Sequence, residues 1–174
     1  MPIRSVCIAG LFIVSGAMTQ GAGVPLDSPR SARMAFFCNT GYSQEVCQVQ
    51  IARLQQTLGT FDLGALGDWN WILVRSDDWY PILRRVGRDP DSPAFTILER
   101  RQTFLEEALF QPMAGRSRTL LEKWRVPLNE LLNVAVTHEL AHALCREQDE
   151  ARTHAYAGQL SESGQVTCGE GTGR

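Results

Sequence analysis

Residues 138–142 read His-Glu-Leu-Ala-His, two histidines four positions apart with a glutamate directly after the first. Four residues make about one helical turn. On a helix both imidazoles therefore project from one face and can reach a single tetrahedral Zn²⁺ at about 2.0–2.1 Å. Glu139 follows the first histidine, which sets its carboxylate beside the metal rather than among the ligands, where it can act as general base toward water. All three histidines of the chain fall within residues 138–154, so none is spent elsewhere. The competing explanation is a solvated helix with two incidental histidines.

The segment that must position these groups is a helix from Pro127 to about Cys145. Leu128, Leu131, Ala135, His138 and His142 share one face of it, and Pro127 suits its first turn. The third ligand constrains the chain further. On one continuous helix Glu150 would lie about 12 Å beyond His142, too far to share a metal. The chain must therefore turn within Leu144–Gln148, with Asp149 as N-cap of a new helix and Glu150 in its first turn. Glu147, His154, Glu162 and Cys145 are the alternative ligands.

His-Glu-Leu-Ala-His followed by Glu150-Ala-Arg-Thr-His154-Ala-Tyr156-Ala-Gly-Gln-Leu160 resembles the gluzincin-type metallopeptidases over about 30 residues, Leu131 to Leu160. The resemblance implies His138, His142 and Glu150 as zinc ligands and Glu139 as general base. Thr153 stands where that family usually has Ala, and His154 where it often has Asp. In size the nearest match is the small minimal gluzincins, including those like the ImmA/IrrE repressor-cleaving enzymes, which act in the cytoplasm. The resemblance also implies a zincin-like sheet whose edge strand aligns the peptide, either Ala94–Glu99 or Thr103–Leu109. Tyr156, His154 and Arg152 are the nearby candidates for stabilising an oxyanion.

Elsewhere the pattern predicts a helix over Ser43–Leu58, with Val46, Val49, Ile51, Leu54 and Leu58 on one face and Gly59 as its stop. Asp68–Ser76 reads as a strand and Trp79–Val86 as a short helix after Asp77-Asp78. Ala94–Glu99 and Thr103–Leu109 read as two more strands, the latter with helix-forming character, and Ser117 as N-cap of a helix to Trp124. The fold class expected is α+β, a small mixed or antiparallel sheet packed against the motif helix. Trp69, Trp71, Trp79 and Trp124 read as core rather than groove lining. Glu106-Glu107 reads as a solvated element end, and Arg116, Arg118, Lys123 and Arg125 as a solvated helix face.

A net charge of −2, with 17 basic and 19 acidic residues interspersed, gives no electrostatic reason to expect nucleic acid as partner. Arg4, an apolar run Val6–Val14 and a small-residue exit describe a secretory signal peptide over 1–23, cleaved between Ala17 and Val24, with no stable membrane anchor afterward. A flexible lead-in is expected over 24–42, a metallopeptidase-like domain over 43–160 and a Gly-rich tail over 161–174. Cleavage would leave Cys38, Cys47, Cys145 and Cys168, an even set suited to the periplasm or the exterior. Locality favours Cys38 with Cys47 and Cys145 with Cys168. The function expected is zinc-dependent hydrolysis of a peptide or protein substrate. The alternatives are a catalytically idle zinc-binding scaffold and a non-peptidase zinc amidohydrolase.

Overall fold

Trp69, Trp71 and Leu73 alternate with Asn70, Ile72 and Val74, the period of a strand covered on both faces. In the computed structural model, which describes residues 33–111 and 115–169, this segment is an inner strand, β2, Trp69–Val74. It pairs in parallel with β1, Met34–Cys38, and with β4, Gln102–Glu106. The last strand, β3, Ala94–Ile97, pairs antiparallel with β4, so the order is β1-β2-β4-β3 and the sheet is mixed. β1 corrects the expected lead-in. Its apolar run is ordered by a ladder to a strand about 35 residues away, a non-local pairing that local composition does not announce.

Helices cover both faces. α1, Gln44–Leu58, is capped by Ser43, whose hydroxyl accepts from the Val46 amide at 3.2 Å, and it ends at Gly59. It buries Gln50, Leu54 and Leu58, while Val46 and Val49 face solvent, so the apolar face lies one step round from the one expected. α2, Ser76–Val86, carries Asp77 and Asp78 in its first turn and seats Trp79 and Leu83 on the opposite face of the sheet, with Val74 and Phe95. There Phe95 stacks on Phe104 at 4.7 Å between ring centroids.

α3, Gly115–Trp124, begins before Ser117. That residue is fully buried inside the helix, its hydroxyl 2.6 Å from the carbonyl oxygens of Ala108 and Gln111, so it ties the helix to the preceding turn rather than capping it. α4, Leu131–Cys145, follows a single 3-10 turn at Leu128–Glu130, which leaves Pro127 just outside. Leu131, Leu132, Ala135, Val136, Leu140 and Ala141 bury α4 in the core shared with α1 and β2. α5, Glu150–Ser163, lies alongside α4 and contributes Leu160.

The two strands expected at Ala94–Glu99 and Thr103–Leu109 are shorter than their sequence patterns, each giving way to a 3-10 turn, at Leu98–Arg100 and Glu107–Leu109. Glu106 is not the solvated end that its pairing with Glu107 suggested. It is fully buried, with Arg116 Nε 3.2 Å from its Oε2, and Arg116 is itself only 14% exposed. Burial holds the Glu106 carboxyl above its ordinary pKa, although the guanidinium beside it pulls the other way.

Both expected disulfides are present, Cys38–Cys47 and Cys145–Cys168. They fit a non-reducing environment. No helix among the described residues is long and apolar enough to cross a membrane. The Cys145–Cys168 bridge spans 23 residues and fixes Thr167 and Gly169 against α5 side chains. Replacing both of its cysteines by Ser is expected to lower stability by about 3 kcal/mol through loop entropy, read by urea unfolding. Arg116→Ala leaves Glu106 buried without its cation and is expected to cost about 3 kcal/mol. With the folded carboxyl pKa above the unfolded one, the native state holds more protons, so stability falls as pH rises through that interval. Denaturation at about pH 5 and about pH 8 should find the larger loss at the higher pH.

Candidate metal centre

α4 brings His138 and His142 to one face, a turn apart, and the chain then reverses. The αL residue that ends α4 is Arg146 at φ 49°, a conformation an L-residue adopts at a cost of roughly 1 kcal/mol. Its amide and that of Glu147 both point at the His142 carbonyl. The Glu147 carboxylate builds the rest of the turn. Oε1 accepts from the Gln148 and Asp149 amides at 2.9 and 2.8 Å, and Oε2 pairs with Arg152 at 3.0 Å. Asp149 caps α5 by accepting from the Arg152 amide, which leaves Glu150 in the first turn, as the sequence required.

The reversal brings three donors together. His138 Nε2 lies 3.1 Å from Glu150 Oε2 and 3.2 Å from His142 Nε2, and His142 Nε2 lies 3.6 Å from Glu150 Oε1. Donors at the corners of a tetrahedron of radius about 2.05 Å are about 3.3 Å apart, so the set fits a metal ion. One ligand atom from each residue falls within 4.8 Å of the others.

The outer nitrogen of His142 is held as well. Its Nδ1 lies 2.7 Å from the Glu147 carbonyl oxygen and 3.2 Å from Thr153 Oγ1. The Thr153 hydroxyl donates to the Asp149 carbonyl at 2.9 Å, so both atoms facing Nδ1 act as acceptors. That places the proton on Nδ1 and turns the Nε2 lone pair toward the cluster. Burial, with a further lowering by the neighbouring His142, pulls the His138 pKa well below its ordinary value, which favours the neutral imidazole. His154 sits beside it, ring centroids 4.8 Å apart.

Glu139 is 5% exposed and its Oε2 has no hydrogen-bond partner. Burial first, with a further contribution from Glu150, pushes this carboxyl up to about 8. The Glu139 carbonyl is approached at 3.5 Å by the Thr96 hydroxyl, itself 2.9 Å from Thr103 Oγ1, which accepts from Trp69 Nε1 at 3.0 Å. This buried chain sets α4 against the sheet at the level of the metal cluster.

A groove of about 930 Å³ opens over the cluster. α4 forms its floor, β3 one wall, and the Glu150, His154 and Gly158 side of α5 the other. β3 is the edge strand on the groove side of the sheet, β1 being the other edge. Pro93 O accepts from the Glu106 amide, and in antiparallel alternation the amide and carbonyl of Thr96 then point away from β4 along the open edge. Of the two segments expected to align a peptide, the first, as β3, holds this position and the second, as β4, is interior.

The other candidate ligands have different tasks. Cys145 is in a disulfide, Glu147 builds the turn, and Glu162 is exposed outside the cluster. Of the residues proposed for oxyanion stabilisation, His154 lines the groove, whereas Arg152 pairs with Glu147 and the Tyr156 hydroxyl accepts from the Gly169 amide. Trp69, Trp71 and Trp79 are core, and Trp124, partly buried, also lines the groove. Thr153, Thr96 and Arg88 were not singled out as partners of the site by sequence. Only the first left a signal, as a polar residue where the resembling family has Ala. No protein-family model, curated protein or solved structure matches this chain.

Glu150→Ala is expected to abolish uptake of a divalent metal by the purified protein. Thr153→Val, which removes an acceptor from His142 while keeping the side chain's volume, should weaken uptake by about 10-fold. Competition against a chromophoric chelator measures both.

Proposed function

We propose that this chain is an exported zinc metallopeptidase of gluzincin type that hydrolyses a peptide or protein substrate. The observation that carries the reading is the convergence of His138, His142 and Glu150 from two helices, with the unpartnered carboxylate oxygen of Glu139 buried in the same groove. Two imidazoles and one carboxylate are a catalytic rather than a structural zinc set, because a structural site closes its shell with four protein ligands. The place of β3 at the sheet edge beside α4 supports a zincin-like arrangement, and its outward Thr96 amide gives an extended peptide a backbone contact. Export is supported by the paired cysteines and by the signal-like N-terminus, which lies outside the described residues.

A bound zinc ion supplies Lewis acidity, polarising a carbonyl and acidifying water. The protein's own part follows from its geometry. His138, His142 and Glu150 hold the ion, and the acceptors on His142 Nδ1 keep that ring in register. Glu139 Oε2 takes a proton from the attacking water as its oxygen bonds to the scissile carbon, then returns it to the leaving nitrogen as the carbon–nitrogen bond breaks. The apolar surroundings of Glu139 favour the protonated carboxyl and so the return step. His154, which lines the groove, is the candidate to donate to the oxyanion.

Glu139→Gln keeps the size of the side chain and removes the base. The expected result is unchanged zinc content with hydrolysis of an unbiased peptide library, read by mass spectrometry, reduced about 100-fold or more. Hydrolysis that persists in Glu139→Gln, or after zinc is chelated, would falsify the peptidase reading.

A further inference from the structure

The groove carries charges of both signs, Asp89 and Glu99 among them outside any ion pair of the described residues. Lys123 pairs with Asp91 at 2.7 Å, Glu147 with Arg152, and Glu99 accepts from the Gln148 amide at 3.4 Å. Arg88 lines the same groove and enters none of the ion pairs among the described residues. Its place is set by the end of α2. Gly87 takes the left-handed conformation at φ 67°, and the Gly87 and Arg88 amides both turn back to the Leu83 carbonyl. The chain is thereby aimed at the open edge of β3, where Arg88 Nη2 donates to the Thr96 carbonyl at 3.3 Å. Thr96 is the residue whose hydroxyl approaches the Glu139 backbone, and Arg88 shares the groove with His138, Glu139, His142 and Glu150.

Two consequences follow. A guanidinium carries five N–H donors, and one contact to a carbonyl steadies it while leaving donors free for the two-pronged grip that suits a carboxylate. The same contact occupies the outward carbonyl of Thr96, an acceptor that a peptide pairing along β3 would otherwise use. A peptide lying in the groove therefore meets the Arg88 cation, held by one backbone contact and outside any ion pair among the described residues, where the ladder would continue.

We propose that Arg88 is a specificity-determining residue that binds a carboxylate of the substrate, so that the groove selects peptides carrying an anionic group close to the scissile bond. This rests on the zinc-peptidase reading. The carboxylate is either the C-terminal one, which makes the enzyme a carboxypeptidase, or the side chain of an Asp or Glu.

The test uses the zinc-loaded Glu139→Gln protein, which holds peptides without turning them over, with and without Arg88→Ala or Arg88→Lys. Titration calorimetry would compare acetyl-tetraalanine as the free acid, its C-terminal amide, and amides carrying one Asp or Glu at each position in turn. The expected result is that one carboxylate-bearing class binds about 10-fold tighter than the neutral amide, a preference abolished by Arg88→Ala and partly kept by Arg88→Lys. Preference for the free acid alone assigns the terminal carboxylate, and preference for the Asp or Glu amides assigns the side chain. Equal affinities across the panel, no binding at all, or a preference that survives Arg88→Ala overturns the proposal. Acetohydroxamate, a neutral zinc-directed probe with no carboxylate, is titrated in parallel. Its failure to bind the zinc-loaded protein counts against the hydrolase reading, while the Arg88 comparison stands or falls separately.

Discussion

The rest of the structure depends on the burial of α4. Its apolar residues, Leu131, Leu132, Ala135, Val136, Leu140 and Ala141, are covered by the sheet, by α1 and by α5. A helix that is apolar nearly all round has to be an interior element. Three polar groups, His138, Glu139 and His142, sit in its last two turns, where a buried polar group is costly unless it is satisfied. The fold meets this by leaving one strip of α4 open to the groove and by supplying partners from α5 for the two imidazoles. The hydroxyl chain from Trp69 through Thr103 and Thr96 fixes how α4 lies on the sheet. Through it the edge strand and the imidazoles keep one relative height.

The reversal between α4 and α5 is the second requirement, and it is built without glycine. Arg146 adopts a positive φ, and the local strain is met by the Glu147 carboxylate, the Asp149 cap and the Cys145–Cys168 bridge, which closes on the last residue of α4. The same few residues both turn the chain and orient His142, since the Glu147 carbonyl and the Thr153 hydroxyl face its Nδ1. Placement and orientation of the candidate ligands thus share one short segment.

Two buried glutamates show how surroundings assign different work to one side chain. Each has a carboxylate oxygen without a hydrogen-bond partner, and burial raises the pKa of both. Glu106 has Arg116 on its other oxygen and joins β4 to α3 at the closed end of the sheet. Glu139 has no such cation in contact and faces a groove large enough for a ligand. The first arrangement is structural, and the second leaves an oxygen available for chemistry.

The sequence by itself determined the parts that follow from short-range geometry. The spacing of His138 and His142, the Asp149 cap that starts α5 at Glu150 and the Ser43–Gly59 limits of α1 are local patterns, and each is found in the structure. The sequence allowed three disulfide pairings, and the structure holds the one that locality favoured. Elements whose order comes from distant partners were not legible there. Met34–Cys38 becomes a strand only through its ladder to β2, and Glu106 is buried only because α3 brings Arg116 to it. The turn at Arg146, which the expected ligand set needed, is unmarked by Gly or Pro, because side-chain contacts of Glu147 and Arg152 and a bridge to a cysteine 23 residues away stabilise it instead. Tertiary structure alone decided which strand is the open edge, which of Tyr156, His154 and Arg152 reaches the groove, and where Arg88 points. Those outcomes depend on how elements pack across long sequence separations, for which neither helical nor strand periodicity carries a signal.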